Sequence, residues 1–196
     1  MLPLQFRAAL PETKMPILYL VRHGRAAASW DADHDPGLDA LGRKQAQRAA
    51  TTLALLGPLG LLVSPMARTR ETAEPLARAW NCEPRIEPRV SEIPSPMASL
   101  DARGQWLREV MRRRWSELDA PLQRWRADVL AALGGPTVDT VIVTHYIVIN
   151  VAVGAATADD RVVNFRPDNC SVTILRSDDD RFELMQRGSE GETRIF

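Results

Sequence analysis

Apolar residues gather in three short continuous runs, at 17–21 (ILYLV), 60–63 (GLLV) and 140–144 (TVIVT), without the alternation of a strand wetted on one face. Such runs predict strands covered on both faces, as in a parallel sheet. Helical spacing fills the gaps between them. Asp39 is placed to N-cap a helix over 40–56, with Leu41, Ala46, Ala49, Leu53 and Leu56 as its apolar stripe and Gly57 as its stop. A second helix starts near Ala67, with Pro75 able to kink it. Residues 81–100 are rich in proline and poor in apolar runs, which predicts a long surface loop of the kind that builds active sites. Helices follow over 102–115 and 122–133, the latter opened by Pro121 and closed by Gly134 and Gly135. Trp106, Trp115 and Trp125 are expected to fix this pair against the core. A further helix begins at Ile147, and 171–175 with 182–185 flank a polar turn as a hairpin. Strands alternating with helices make an α/β protein: a three-layer αβα sandwich whose central sheet is mostly parallel, with an antiparallel edge.

Length and composition narrow this. At 196 residues, 45% hydrophobic and 26% charged, the chain fits one domain that folds alone. Residues 1–14 match no element and are expected to form a loose extension before a domain over 15–196, a chain begun at Met15 keeping the activity. Twenty-five basic side chains balance 25 acidic ones, so nothing in the global charge calls for nucleic acid or a membrane as partner. Cys82 and Cys170 are too few for a disulfide scaffold and lack metal-site spacing. With no bilayer-length apolar run and no secretory leader pattern, a cytoplasmic location is expected.

In open α/β sheets ligands bind beyond the carboxyl ends of the strands. Arg22 and His23 follow the first run, Ser64 the second with Arg68 in the next turn, and His145 the third. Singly, a strand-end histidine or a helix-start arginine is more often structural. Together, two arginines can grip a phosphoryl group with planar forks. A neutral His23 between them can attack phosphorus. His145, if protonated, adds a donor to the charge on phosphorus, and no metal is needed.

These residues carry a family resemblance. LYLVRHG (18–24) resembles the signature of the histidine phosphatase (phosphoglycerate mutase-like) superfamily, and LDALGRKQA (38–46), SPMARTRETA (64–73) and VTHYIVIN (143–150) are similar to its later motifs in order. The resemblance covers roughly residues 15–175 and implies the phosphoglycerate mutase-like fold. It implies that His23 is the nucleophile, that Arg22, Arg68 and His145 complete the phosphate pocket, and that Gly24 keeps the loop close to phosphate. It also puts Glu92, in RVSEIPSP, in the place of the family's proton donor. Ser29 falls by counting where the family has a small polar phosphate contact. Arg25 departs from a position commonly acidic or amidic, and either reaches the distal part of a substrate or points into solvent.

The resemblance implies a metal-independent, cofactor-free phosphatase for a small phosphorylated substrate. A mutase that retains its phosphohistidine, or a non-catalytic binding module on the same fold, are the alternatives. Oligomeric state stays open. The stretch DADHD (31–35) with His34 could hold a divalent cation, but a solvated loop is the preferred reading. The basic helix around MRRRW (111–115) reads as a solvated face. The helical pair at about 101–135 occupies the family's variable insertion, where a substrate-specificity lid is expected.

Overall fold

The structure, a computed structural model, describes residues 15–29, 32–178 and 181–191. The expectation for residues 1–14 lies outside the described residues. Six strands, β1 (Ile17–Arg22), β2 (Gly60–Val63), β3 (Arg85–Ile86), β4 (Thr140–Thr144), β5 (Val172–Asp178) and β6 (Arg181–Gln186), form one sheet in the order β3-β2-β4-β1-β5-β6. The first four of that order run parallel. β5 and β6 close the other side as an antiparallel edge.

Five helices cover the two faces: α1 (Ala40–Leu53), α2 (Ala67–Trp80), α3 (Leu100–Val110), α4 (Ala120–Gly134) and α5 (Tyr146–Thr157). Because strand side chains alternate between faces, each apolar run feeds two cores. Leu18, Leu20, Leu62 and Ile142 pack with residues of α3, α4 and α5. Val21, Val63, Val141 and Val143 pack instead with Ala50 and Leu53 of α1 and Ala73, Leu76 and Ala77 of α2. This explains the unbroken runs. α5 is buried from Tyr146 to Gly154 without interruption, as a helix apolar all round must be.

Several expectations need correction. α1 stops at Leu53 and tightens into a 3-10 turn over Ala54–Leu56, ended by Gly57 at φ 81°. Leu41 and Leu56 are 40% and 43% exposed, and the buried stripe is Gly42, Ala46, Ala50 and Leu53. The stripe consists of small residues because α1 lies close to the loop after β1. A Cβ on Gly42 would sit 2.1 Å from the Arg25 carbonyl oxygen, and one on Gly24 would sit 2.6 Å from the Gly42 carbonyl oxygen. Both obstacles are backbone. Gly42→Ala is therefore expected to cost about 1–3 kcal/mol, seen as a lower urea midpoint at unchanged m-value. An unchanged midpoint would show that the seam yields freely.

The stretch 81–100 is not simply a surface loop. It contributes the short edge strand β3, and its Val90 and Ile93 are 0% and 1% exposed. The Val90 carbonyl accepts from the Thr144 hydroxyl at 2.7 Å, tying this segment to the end of β4. α2 continues unbroken past Pro75. α3 ends at Val110, short of the expected 115, and Trp115 opens a separate 3-10 turn. Trp115 is buried and stacks on Trp125 of α4 with ring centroids 6.0 Å apart, while Trp106 packs on the same core. The tryptophans do fix the helical pair. Among the described residues no helix is long and apolar enough to cross a membrane.

Candidate active site

β1, β2 and β4 are parallel neighbours, so the residues following them gather at one edge of the sheet. Register places Arg22 beside Thr144 and Val63 beside Val143. His23 and His145 thus meet, with ring centroids 5.3 Å apart and planes at 61°. Arg68, in the first turn of α2, reaches between them. Its Nε donates to His23 Nε2 at 3.3 Å and its Nη2 to His145 Nδ1 at 3.2 Å.

These contacts assign both tautomers, because a guanidinium donates and never accepts. His23 Nδ1 lies 2.8 Å from the Gly24 carbonyl oxygen, so it carries the proton and Nε2 keeps a lone pair. His145 Nδ1 is likewise the acceptor, which leaves its Nε2–H to donate to Ser64 Oγ at 2.7 Å. Burial above all, then the charges of Arg68 and Arg22, holds the His23 pKa well below its ordinary 6.5. Burial first, then Arg68, His23 and Arg22, does the same for His145. Both rings are neutral at pH 7.

Arg22 is 4% exposed. Its Nη1 donates to the Pro167 carbonyl at 2.8 Å and its guanidinium lies over the Tyr146 ring, 5.1 Å from the centroid. Its buried Nε has no hydrogen-bond partner among the described residues. An unpaired buried donor costs free energy until an acceptor arrives. Glu92 is half-buried, with its carboxylate accepting from the Ile93 amide at 3.0 Å. Its pKa is raised, because burial outweighs the opposing pull of that bond and of Arg68 and Arg22.

Arg22, His23, Arg68, Glu92 and Ser29 line a cleft of about 460 Å³. His145, at 0% exposure, lies behind Arg68 rather than on the cleft wall. Gly24 also stays behind the wall. Its amide donates to Thr72 Oγ1 at 3.0 Å, and the Thr72 hydroxyl donates to the Arg68 carbonyl, so α2 holds both the nucleophile loop and the arginine. Arg25 is paired with Asp39, the α1 N-cap, and its amide donates to Gln45.

Sequence reasoning missed several participants. Asn169 Nδ2 donates to the His23 carbonyl at 2.9 Å and lines the cleft with Tyr146. Tyr146 adjoins His145 in the last of the four motifs, a signal that was available; Asn169 stands in no motif. Asp35 is more than a solvated loop residue. Its Oδ1 accepts the Ala67 amide at 2.8 Å, capping α2, and lies 3.7 Å from Arg68 Nη1. Asp31 lies outside the described residues, among which no group of three His, Cys, Asp or Glu could hold a metal ion.

The profile of the histidine phosphatase superfamily (branch 1) matches residues 18–189. A probable phosphoglycerate mutase of Escherichia fergusonii is 38% identical over 82 residues, which is 39% of this chain and 37% of that protein. The match therefore spans little more than a third of that curated relative. Among solved structures, phosphoserine phosphatase from Entamoeba histolytica, in complex with 3-phosphoglyceric acid, superposes with a TM-score of 0.70 at 18% identity. It covers 89% of this chain and 98% of its own. A mycobacterial glucosyl-3-phosphoglycerate phosphatase, complexed with VO3, gives 0.65 at 22%, covering 86% and 96%. At such identities the likeness is one of fold.

Proposed function

Because the chain belongs to the histidine phosphatase superfamily, we propose that it is a metal-independent phosphatase that hydrolyses a small phosphomonoester through a phosphohistidine on His23. The observation that carries this reading is the His23 tautomer. Nδ1–H is spent on the Gly24 carbonyl, so the Nε2 lone pair faces Arg68 in a pocket shared with Arg22.

The phosphoryl group settles between the Arg22 and Arg68 forks, and one oxygen meets the orphaned Arg22 Nε. His23 Nε2 attacks phosphorus as the bond to the leaving oxygen breaks, and protonated Glu92 gives that oxygen its proton. The Glu92 carboxylate then takes a proton from water, whose oxygen attacks phosphorus and breaks the P–N bond. Inorganic phosphate leaves and His23 returns neutral. When Arg68 turns to the phosphoryl oxygens it releases His145 Nδ1. That nitrogen can then take the proton of a monoanionic phosphoryl group, so that Nδ1–H donates to the oxygen it came from with no net change of charge, while Nε2–H keeps its bond to Ser64 Oγ. Such donors, already in place, stabilise the equatorial oxygens of the transition state.

The reading needs no cofactor, metal, nucleic acid or membrane, and fits a cytoplasmic enzyme. Ser29 is a wall contact for the substrate, and the helical pair at about 101–135 its specificity element. The expected result is p-nitrophenyl phosphate hydrolysis that persists in excess EDTA, is blocked by vanadate, and passes through an acid-labile, alkali-stable phosphoenzyme. Loss of activity in EDTA would overturn the metal-free mechanism. A stable phosphoenzyme with little turnover would favour a mutase, the activity in the name of the Escherichia relative.

A further inference from the structure

The loop before β5 wraps around the end of β1. The Arg22 amide donates to the Ser171 carbonyl at 3.2 Å, and the Arg22 carbonyl accepts from the Cys170 amide at 3.0 Å. Its side chain donates to the Pro167 carbonyl. Asn169 extends the same grip to His23, with Nδ2 donating to the His23 carbonyl at 2.9 Å. A carbonyl only accepts, so the nitrogen of the Asn169 amide is the end that faces it. Cys170 has φ 58°, a left-handed conformation that costs a side-chain-bearing residue free energy and persists where the surroundings over-determine it. Those surroundings include the Asp168 carboxylate, which accepts from the Asn169 backbone amide at 2.8 Å, and the Ser189 carbonyl, which accepts from that of Asp168.

The His23–Gly24 peptide is thereby held at both ends. Its carbonyl takes the Asn169 bond, and its N–H donates to Thr72 Oγ1 of α2 at 3.0 Å. The next carbonyl along the chain, that of Gly24, is the one that accepts from His23 Nδ1. Rotation about the His23 Cα–C bond carries that carbonyl away from the ring, and glycine resists such rotation less than any other residue. The direction of the Nε2 lone pair therefore depends on the two anchors of this peptide.

We propose that Asn169 is a positioning residue for the nucleophile: by fixing the His23–Gly24 peptide it keeps the imidazole aimed at the phosphorus. Its contribution is the bond to the peptide and not a bond to phosphate. The effect on turnover rests on the phosphatase reading, whereas the hold on the ring does not.

Asn169→Ala and Asn169→Leu, the latter close to asparagine in shape, remove the donor without adding charge. In burst kinetics the rate of His23 phosphorylation is expected to fall about tenfold to a hundredfold in both, while the inhibition constant of inorganic phosphate stays within about threefold of the wild type. The Nδ1 proton of His23 is identified by NMR as the ring resonance missing from His23→Ala. It is expected to exchange with water about tenfold faster in both variants. A urea midpoint near the wild type, in either variant, shows that the fold is kept. An unchanged phosphorylation rate, unchanged exchange, or phosphate binding weakened as much as the rate would each overturn the proposal. A wild-type chain that forms no phosphoenzyme would instead sink the phosphatase reading, and the exchange rate alone would then decide whether Asn169 holds the ring.

Discussion

His23→Ala is expected to lower kcat for p-nitrophenyl phosphate by at least about 10⁴-fold, since removing a nucleophile abolishes the covalent route rather than weakening it. The neighbouring groups do not substitute for it. His145 is buried behind Arg68 with Nδ1 engaged at 3.2 Å, and Ser64 Oγ is held 2.7 Å from His145 Nε2. The phosphoenzyme should vanish with the activity. A urea midpoint close to the wild type would show that the fold survived, as a ring at the rim of the sheet allows. Residual activity within tenfold of wild type would mean that another group attacks phosphorus.

Glu92→Gln should act more selectively. General acid catalysis is worth about 10²–10⁴-fold, and that loss is expected for alkyl phosphates, whose leaving alkoxide needs a proton. The p-nitrophenolate ion leaves without one, so its release should suffer far less. The pH profile carries the same information. Burial raises the Glu92 pKa, so the acid form persists above the usual carboxyl range. The rate on alkyl phosphates should then fall as pH rises through that raised value. The Gln variant, with nothing to titrate there, should lose this alkaline limb. Equal losses on both leaving groups, with the limb retained, would remove Glu92 from the role of proton donor.

The parts of this site that could be read from the sequence are those that follow from the three apolar runs. Runs buried on both faces mean parallel neighbours, and parallel neighbours bring Arg22, His23, Ser64 and His145 to one edge without further information. Glu92 was reached through the family resemblance alone. Contacts made by loops left no periodic trace. Val90 and Ile93 are single apolar residues among prolines, so their burial and the strand β3 went unseen. The α1 stripe was misplaced because leucines weigh more than glycine and alanine in a hydrophobic pattern. It is the close approach of Gly42 to Arg25 that decides which side faces inward. Asp35, His34 and Asn169 act through partners distant in sequence, Ala67, Arg103 and His23. Nothing local in their neighbourhoods announces those partners.

The strand order has a consequence for biosynthesis. β1 lies between β4 and β5, and β2 between β3 and β4. A chain emerging from the ribosome thus presents β1 with both edges unpaired until β4, at Thr140–Thr144, has been made. At about 5–20 residues per second that wait is on the order of ten seconds. Through that interval the nascent polypeptide exposes an apolar strand that any passing strand edge can join. His23 and Arg68 acquire their common pocket only when the last parallel strand is inserted, so translation that stalls before it yields a fragment without the site and with an aggregation-prone edge.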